Sequence, residues 1–508
     1  MRTKNAFSNI SYALINNILL NILRFISRTV FIYYLGSMYL GINGLLSNVL
    51  GILSLADLGM STAIGFALYK PLAKDDKNKI KSLMSFFKKA YRVIALIVLI
   101  IGLCLLPFLD VFIDNPDSIT NLWIYYLVFL FNMVIGYLFS YMRTLIIADQ
   151  KEYKITRFII CFNIALTFFQ IISIILFESY LIYLLVQSAV IVLENIIINK
   201  FIIKNYPFIL EKNINKLTKK DKKDLTKNIK ALLFHKIGSY FVDSTDNLII
   251  SKFLGLITVG LYSNYYLITS TFSSLLTSAL WGSIASFGNL NILESEEKRY
   301  KIYKTINLIG FTCYGIIAIC LLQLFNLFVG DIWLSEEYLL PFSTVIIICI
   351  NFYVSGMMHI NDAIKSSGGL YDKDKYIPLI QSLVNIIASI ILVKYYGLTG
   401  VFIGTLLSSI VPTIIKPYII YKHLFKEKYI SYFIMYFKQL IIIVISALLV
   451  LFINSKIYIN NSILLFIIEG IVSVVIPFII ILLCYYKSES FEILKEKVKI
   501  ILKRWVYD

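Results

Sequence analysis

Residues 34–41, YLGSMYLG, return 219 positions later in the chain as residues 253–260, FLGLITVG. In both copies two glycines stand five residues apart at matching places. Each copy separates two apolar stretches, and a stretch of about 20 apolar residues is what a helix needs to cross a bilayer. This motif therefore predicts a short connection between membrane-spanning helices, and it indicates an internal repeat.

A second pair of apolar segments repeats at the same offset. Asn132 aligns with Asn351, and Arg143 aligns with Asp362. Two pairs of segments that share one offset are hard to explain by chance, so spans 1–6 and 7–12 are interpreted as two copies of a six-helix bundle. Because six is an even number, both copies have the same orientation. Parallel repeats of this kind are typical of transporters, which bind substrate between the two halves near the middle of the membrane.

The composition is that of an integral membrane protein. Of the 508 residues, 59% are hydrophobic and 15% are charged, and the mean hydropathy is +0.79. Backbone in lipid must satisfy its own hydrogen bonds, and runs of this length exclude barrel strands, so we predict an all-α protein. We expect about fourteen transmembrane helices, near residues 9–35, 41–67, 82–109, 119–147, 155–177, 180–204, 229–254, 258–286, 302–330, 337–364, 376–395, 398–422, 430–453 and 462–486.

The repeat predicts five parts in the chain. These are an N-terminal six-helix lobe, a basic cytoplasmic linker, a C-terminal six-helix lobe, two additional transmembrane helices and a basic cytoplasmic tail. Their expected bounds are 1–204, 205–228, 229–422, 423–486 and 487–508.

The net charge of +18 comes largely from lysines and arginines that crowd every second loop, whereas the loops between them are acidic or neutral. Cytoplasmic loops of membrane proteins carry the excess of basic residues. We therefore expect both termini in the cytoplasm. The charge is then explained by topology and by anionic lipid, and we expect no nucleic-acid partner.

Motifs for catalysis or metal binding are absent from the sequence. It contains neither a Gly-x4-Gly-Lys-Ser/Thr loop nor a His-Glu-x2-His motif, and its six cysteines lie in apolar segments without ligand spacing. A membrane polymerase or ligase is expected to carry its catalytic residues on a large outer loop, and every predicted outer loop is short. We expect no enzyme activity, no metal, and no cofactor other than a coupled proton or sodium ion.

The first span carries a polar face. Asn17, Asn21, Arg24 and Arg28 follow helical spacing and fall within an arc of about 60°. A charge at the bilayer centre costs about 2.5–3.5 kcal/mol, so this face is expected to line a cavity. Two arginines one turn apart suit a diphosphate or an acidic sugar, because the guanidinium donates paired hydrogen bonds. Arg143 is a further candidate for the same cavity.

Five other residues are candidates for ion coupling or for gating ion pairs: Asp57, Asp243, Asp246, His359 and Asp362. Glu194 is a sixth acidic residue inside a predicted span. Arg24 aligns with Asp243 at the offset of the repeat, so a buried ion pair between the two lobes is an alternative to an anion site at Arg24. The two interpretations are compatible if the pair exists in one state of a transport cycle.

The chain resembles the polysaccharide biosynthesis flippases, which move O-units or capsule repeats, within the multidrug/oligosaccharidyl-lipid/polysaccharide exporter superfamily. The resemblance rests on the motif at 34–41, on Ser54-Leu55-Ala56-Asp57-Leu58-Gly59, and on Ala63, Gly65 and Tyr69 after it. In organisation it covers essentially the whole chain, although each motif is short.

This resemblance implies two six-helix lobes in a V-shaped fold that works by alternating access in the bacterial cytoplasmic membrane. It implies a polyprenyl-diphosphate-linked oligosaccharide as cargo, with Arg24 as a contact in the lumen, and it extends that role to Arg28 and Arg143. Spans 13 and 14 would flank a hydrophobic groove for the lipid tail. Membrane lipid, a polysaccharide polymerase and glycosyltransferases are the implied partners.

Two alternatives remain open from the sequence. A cation-coupled multidrug exporter of the same fold would favour an acidic, aromatic cavity. The arginines on span 1 argue against that function, while Asp243 and Asp246 are consistent with it. An integral-membrane polymerase or ligase is the second alternative, and the short outer loops argue against it.

Overall fold

The computed structural model describes residues 2–57, 60–113, 119, 121–211, 217, 245–278, 295–368, 370, 373–425 and 427–496. Helices account for nearly all of these residues, and no strand occurs among them. The predicted linker, 205–228, lies mostly outside the described residues, and so does Asp243.

Thirteen helices are present in the described ranges. They are α1 (Arg2–Leu53), α2 (Met60–Ala73), α3 (Lys77–Leu105), α4 (Leu122–Ala148), α5 (Tyr153–Phe177), α6 (Tyr180–Asn205), α7 (Thr245–Ser278), α8 (Glu296–Asn326), α9 (Phe342–Ser367), α10 (Ile377–Ile420), α11 (Ile430–Asn454), α12 (Ser462–Tyr485) and α13 (489–496).

Helices α3, α8 and α12 each begin directly after a residue whose side chain accepts a hydrogen bond from a free backbone N–H group. The Asp76 side chain accepts a hydrogen bond from the Lys79 N–H at the start of α3. Asn461 accepts from two N–H groups at the start of α12. Such caps matter because the first N–H groups of a helix have no partner within the helix.

Eleven segments of the described chain are long and apolar enough to cross a membrane. Three of them contain a break, at Gly36, Gly255 and Gly397, and each break separates two of the predicted spans. When the two sides of each break are counted separately, the eleven segments fall on parts of all fourteen predicted spans, of which residues 229–244 and 279–286 lie outside the described ranges. The prediction of an all-α, multi-spanning protein is confirmed.

The internal repeat is visible in the backbone. The first residues of α3 and α8, Lys77 and Glu296, are 219 positions apart, and so are the last residues of α4 and α9. Backbone conformation follows the same offset: Gly36 and Gly255 have φ of 78° and 83°. Glu178 and Gly397, also 219 apart, have φ of 46° and 56°. The repeat therefore preserves helix ends as well as the left-handed residues between helices.

The two copies of the opening motif contact each other reciprocally. A Cβ added to Gly41 would overlap the carbonyl group of Leu256, and a Cβ added to Gly260 would overlap the carbonyl group of Ser37. Ser37 and Leu256 are themselves 219 positions apart. Glycine is required here because the two backbones touch with no side chain between them.

The chain separates into two compact units, Met1–Gly260 and Leu261–Asp508. In the first unit, α1 packs on α5, and α4 packs on α2, α3 and α6. The buried Tyr126 hydroxyl of α4 donates a hydrogen bond of 2.8 Å to the Gly102 carbonyl oxygen of α3. This bond satisfies a polar group inside the unit, where an unpaired hydroxyl would be costly.

In the second unit, α8 packs against α9, α11 and α12. Two amide pairs hold α11 on α8: Gln439 donates to Asn307 at 2.8 Å, and Asn454 donates to Gln323 at 3.2 Å. These bonds fix α11, which lies outside the repeat, against a helix of the second copy.

The described start of the C-terminal tail is attached to the same unit. Glu489 of α13 forms ion pairs with Lys301 at 2.8 Å and with Lys304 at 3.5 Å, both on α8. The hydrogen bond from Lys301 lowers the pKa of the Glu489 carboxyl. The contact is exposed to solvent, so it locates the tail and contributes little to stability.

Candidate functional site

The polar face of α1 has the arrangement that its spacing predicts. Arg24 is exposed, Asn17 and Arg28 are half-buried, and Asn21 is buried. The same helix exposes four isoleucines, which lie about 120–180° around the axis from Arg24: Ile15, Ile18, Ile22 and Ile26. An exposed apolar face suits lipid, so the arginine face points away from the side of α1 that is best suited to lipid.

Arg28 lies against α6, where it interacts electrostatically with Tyr183. It also interacts with Arg24, one turn away on α1. The Tyr183 ring packs edge-on against Phe31, with 5.1 Å between ring centroids. Arg28 is therefore in contact with α6, whereas Arg24, one turn away on α1, is exposed. Two cations at this spacing repel each other, and an anion that binds between them relieves the repulsion.

Arg143 of α4 also contacts α6. Its Nη2 donates to Glu194 Oε1 at 2.9 Å and to Asn195 Oδ1 at 3.0 Å. The pair is partly buried, with side-chain exposures of 29% for Arg143 and 16% for Glu194. Tyr183 and Glu194 are eleven residues apart, so the Arg28 and Arg143 contacts lie about 16 Å apart along α6.

The acidic candidates of the first unit lie in different settings. Asp57 is buried in a 3-10 turn between α1 and α2, where it interacts electrostatically with Tyr137 of α4. Asp246 is half-buried on α7. Because Asp243 lies outside the described residues, its pairing with Arg24 stays a prediction.

In the second unit, Asp362 of α9 belongs to a buried network. Its two oxygens accept from Lys416 at 2.8 Å and from Lys365 at 3.3 Å. Lys365 also donates to the buried carboxylate of Asp374. His359 lies within electrostatic reach of Asp362 and Lys416. Asp362 therefore already has two lysine partners, as a structural ion pair does.

The burial of Lys365, near the end of α9, is not evident from the sequence, since a charge at a helix end is normally solvated. Lys365 is only 5% exposed, because the connection after α9 folds back and places Asp374 beside it. Sequence analysis also missed Lys416 and Asn195 as partners of the predicted residues. The signal for Lys416 was present, since a lysine inside an apolar span needs a partner.

An apolar groove lies on α11 and α12, the helices outside the repeat. It has a volume of about 560 Å³, and its lining includes Phe433, Ile434, Phe437 and Ile441 of α11. One cation, Lys438, also lines it, with its ammonium 4.9 Å from the ring centroid of Tyr485. Such a surface suits an apolar chain whose polar end stays near Lys438.

Comparisons with solved structures identify the fold. A structure of the lipid II flippase MurJ, in its inward closed conformation, matches with a TM-score of 0.69 at 15% identity, over 94% of this chain and 99% of that chain. An inward-facing multidrug resistance MATE transporter of the MOP superfamily matches with a TM-score of 0.56 at 14% identity, over 78% of this chain and 92% of that chain. At these identities the matches show a shared fold.

Sequence comparison identifies the family. The family described as "Polysaccharide biosynthesis protein" matches residues 6–284, which is more than half of the chain. No curated protein matches the sequence. The matched region contains the opening motif, the polar face of α1 and the Arg143 contact. The chain belongs to the polysaccharide biosynthesis protein family.

Proposed function

We propose that this protein is a flippase that carries an undecaprenyl-diphosphate-linked oligosaccharide repeat unit across the bacterial cytoplasmic membrane. The cargo would serve the assembly of a surface polysaccharide such as capsule, O-antigen or exopolysaccharide. The observation that supports this most is the position of Arg24 and Arg28 on α1, opposite the exposed isoleucines of the same helix. Arginines inside a span that do not face lipid require a polar occupant.

The chemistry of the cargo fits these residues. A diphosphate carries its charge on oxygens that accept paired hydrogen bonds from a guanidinium, and such bonds are about twice as strong as neutral ones. Arg28 interacts with Tyr183 of α6, whereas Arg24 is exposed and is proposed to meet the head group. Asn17 and Asn21 extend the face with groups that can bind sugar hydroxyls. With both termini in the cytoplasm, alternating access would move the head group outward.

The groove on α11 and α12 is proposed to hold the lipid tail. Ile441→Trp should fill the groove and lower transport at least severalfold, because the tail loses its apolar contacts. Leu448→Trp is the matched control: it adds the same ring to an exposed position on the same helix, outside the groove lining. Surface polysaccharide, normalised to the amount of protein in the membrane, is the measurement. Equal losses in the two variants would remove the tail from this groove.

Arg24→Ala tests the proposed function in cells. The variant should lose nearly all surface polysaccharide while its amount in the membrane stays normal, since charge-assisted hydrogen bonds contribute about 1.5–3 kcal/mol each. Arg24→Lys should retain only part of the activity, because lysine keeps the charge and loses the planar fork. Lys394→Ala, which removes an exposed cation from α10, serves as the control. Normal surface polysaccharide in Arg24→Ala would exclude a cationic head-group site there.

A multidrug exporter of the same fold is less well supported. A site for cationic drugs needs an acidic group that is open to the drug. Of the described acidic candidates, Asp362 has each oxygen bonded to a lysine and Asp57 is buried in its turn, while the half-buried Asp246 stays consistent with such a site. Coupling to a proton or sodium ion remains compatible with either cargo.

A further inference from the structure

The two units contain ion pairs at equivalent positions, and the charges are reversed. Arg143 and Asp362 are 219 positions apart, five residues before the ends of α4 and α9. Arg143 pairs with Glu194 of α6 at 2.9 Å. Asp362 pairs at 2.8 Å with Lys416 of α10, the helix that repeats α5 and α6. Each pair thus joins equivalent helices, with the cation on α4 in one unit and the anion on α9 in the other.

The two pairs differ in how many atoms of the Asp362 carboxylate and of the Arg143 guanidinium make hydrogen bonds. Asp362 has a lysine on each oxygen and keeps no free edge. Arg143 uses only Nη2, so its Nε and Nη1 make no hydrogen bond to any described residue. The two guanidinium edges that offer parallel donors, Nε with Nη2 and Nη1 with Nη2, both include Nη2, so an oxyanion that binds through two oxygens must displace a present partner of Nη2. At 29% exposure the Arg143 side chain is open enough for such a ligand.

Asn195 holds the guanidinium independently of Glu194. It is buried, and its Nδ2 donates to the Ile191 carbonyl oxygen at 2.9 Å, which turns Oδ1 toward Arg143. Asn195 is neutral and fixed, whereas Glu194 is a charged group with one oxygen bonded to Arg143. An arriving anion would repel Glu194 and leave Asn195 unaffected.

We propose that Arg143, Glu194 and Asn195 form an oxyanion-exchange site in which Glu194 competes with the phosphate of the cargo for Arg143. Asn195 positions Arg143 in the bound and the empty state. Glu194 weakens binding, so the site releases its ligand instead of trapping it, and Glu194 is the residue that sets the affinity. This inference rests on the proposed function, and it adds a second anion contact about 16 Å along α6 from the Arg28 contact.

Binding of farnesyl diphosphate to the purified full-length protein in a neutral detergent, measured by microscale thermophoresis, tests the site. Glu194→Gln should bind the probe at least about tenfold more tightly, because the carboxylate next to the ligand is gone. Arg143→Gln should bind it about tenfold more weakly, and Asn195→Ala should also weaken it. Glu297→Gln, which removes an acid that is exposed on α8, is the net-charge control and should leave the affinity unchanged.

Three further probes identify the source of the oxyanion. If Glu194→Gln binds both pyrophosphate and farnesyl diphosphate more tightly than the wild type does, phosphate is supported as the ligand. A gain confined to glucuronate supports exchange with the carboxylate of an acidic sugar and overturns the phosphate assignment. Farnesol should bind equally to all variants, and a gain for farnesol in Glu194→Gln would overturn competition between anions.

The failure of this inference is distinguishable from the failure of the proposed function. If Arg143→Gln weakens binding and Glu194→Gln leaves the affinity for every anion unchanged, Glu194 is not a competitor, and the proposed function survives. If neither Arg24→Ala nor Arg143→Gln weakens binding of any anion, the proposed function fails as well. Glu194→Asp, which shortens the competing side chain, should give an intermediate gain, so the test does not depend on one variant.

Discussion

Gly41→Ala is expected to lower the midpoint of thermal unfolding by at least about 2 °C and to reduce transport strongly. The new Cβ would overlap the Leu256 carbonyl, and a backbone atom, unlike the end of a flexible side chain, cannot turn aside. Overpacking of this kind costs about 1–3 kcal/mol, occasionally more, and each kcal/mol lowers the midpoint by about 2–4 °C in a domain of 150–250 residues.

The reciprocal contact makes this prediction sharper. Gly260→Ala meets the Ser37 carbonyl in the same way and should have a similar effect. The double variant should lose less than the sum of the two, because one displacement of the helices relieves both overlaps. Gly136→Ala is the control: nothing lies within 4 Å of its added Cβ, and alanine is the better helix former. Unchanged midpoints in both Gly41→Ala and Gly260→Ala would contradict the packing described for residues 36–41 and 255–260.

Asp374→Ala is expected to destabilise the second unit by about 3–5 kcal/mol, since it leaves a buried lysine with too little negative charge. Asp374 is 2% exposed, and it is a partner of Lys365, which is 5% exposed. In the native network two lysines face two aspartates, Asp362 and Asp374. Removal of the Asp374 carboxylate leaves one positive charge unbalanced beside Lys365, which is buried. Thermal unfolding in detergent is the measurement.

Replacement of both Lys365 and Asp374 by apolar residues distinguishes the effect of the unbalanced charge from the effect of lost packing. Lys365→Met combined with Asp374→Leu should recover most of the stability, because apolar groups of similar volume carry no desolvation cost. Glu297→Ala, which removes the exposed partner of Lys301, should cost no more than about 0.5 kcal/mol. If Asp374→Ala is as harmless as Glu297→Ala, the network is not a buried structural element.

The fold could be predicted from the sequence because its determinants are local. A run of 20 apolar residues must form a helix in lipid, and glycines at 36 and 255 mark the same connection in each copy. The polar face of α1 could be predicted for the same reason, since helical spacing alone places Asn17, Asn21, Arg24 and Arg28 together.

Partners across helices could not be predicted in this way. Arg143 and Glu194 are 51 positions apart, and Lys416 is 54 positions from Asp362. Only tertiary packing shows that each charge has found an opposite one. The burial of Lys365 could not be predicted either, because a helix end is normally solvated and the sequence does not show that Asp374 lies beside it. The reciprocal contact at Gly41 and Gly260 could not be predicted from the sequence either, although the motif that forms it was the strongest signal there.

Translocation by the protein reconstituted in liposomes is the most direct measurement of function. The probe is an isoprenyl-diphosphate lipid that carries a fluorescent saccharide, and a quencher that cannot cross the membrane reports the fraction in the outer leaflet. Under an imposed proton or sodium gradient, the wild-type protein should make nearly all of the probe accessible, whereas Arg24→Ala/Arg28→Ala should match empty liposomes. Equal accessibility with the wild type and the double variant, or no movement by the wild type, would contradict a diphosphate path along the arginine face of α1.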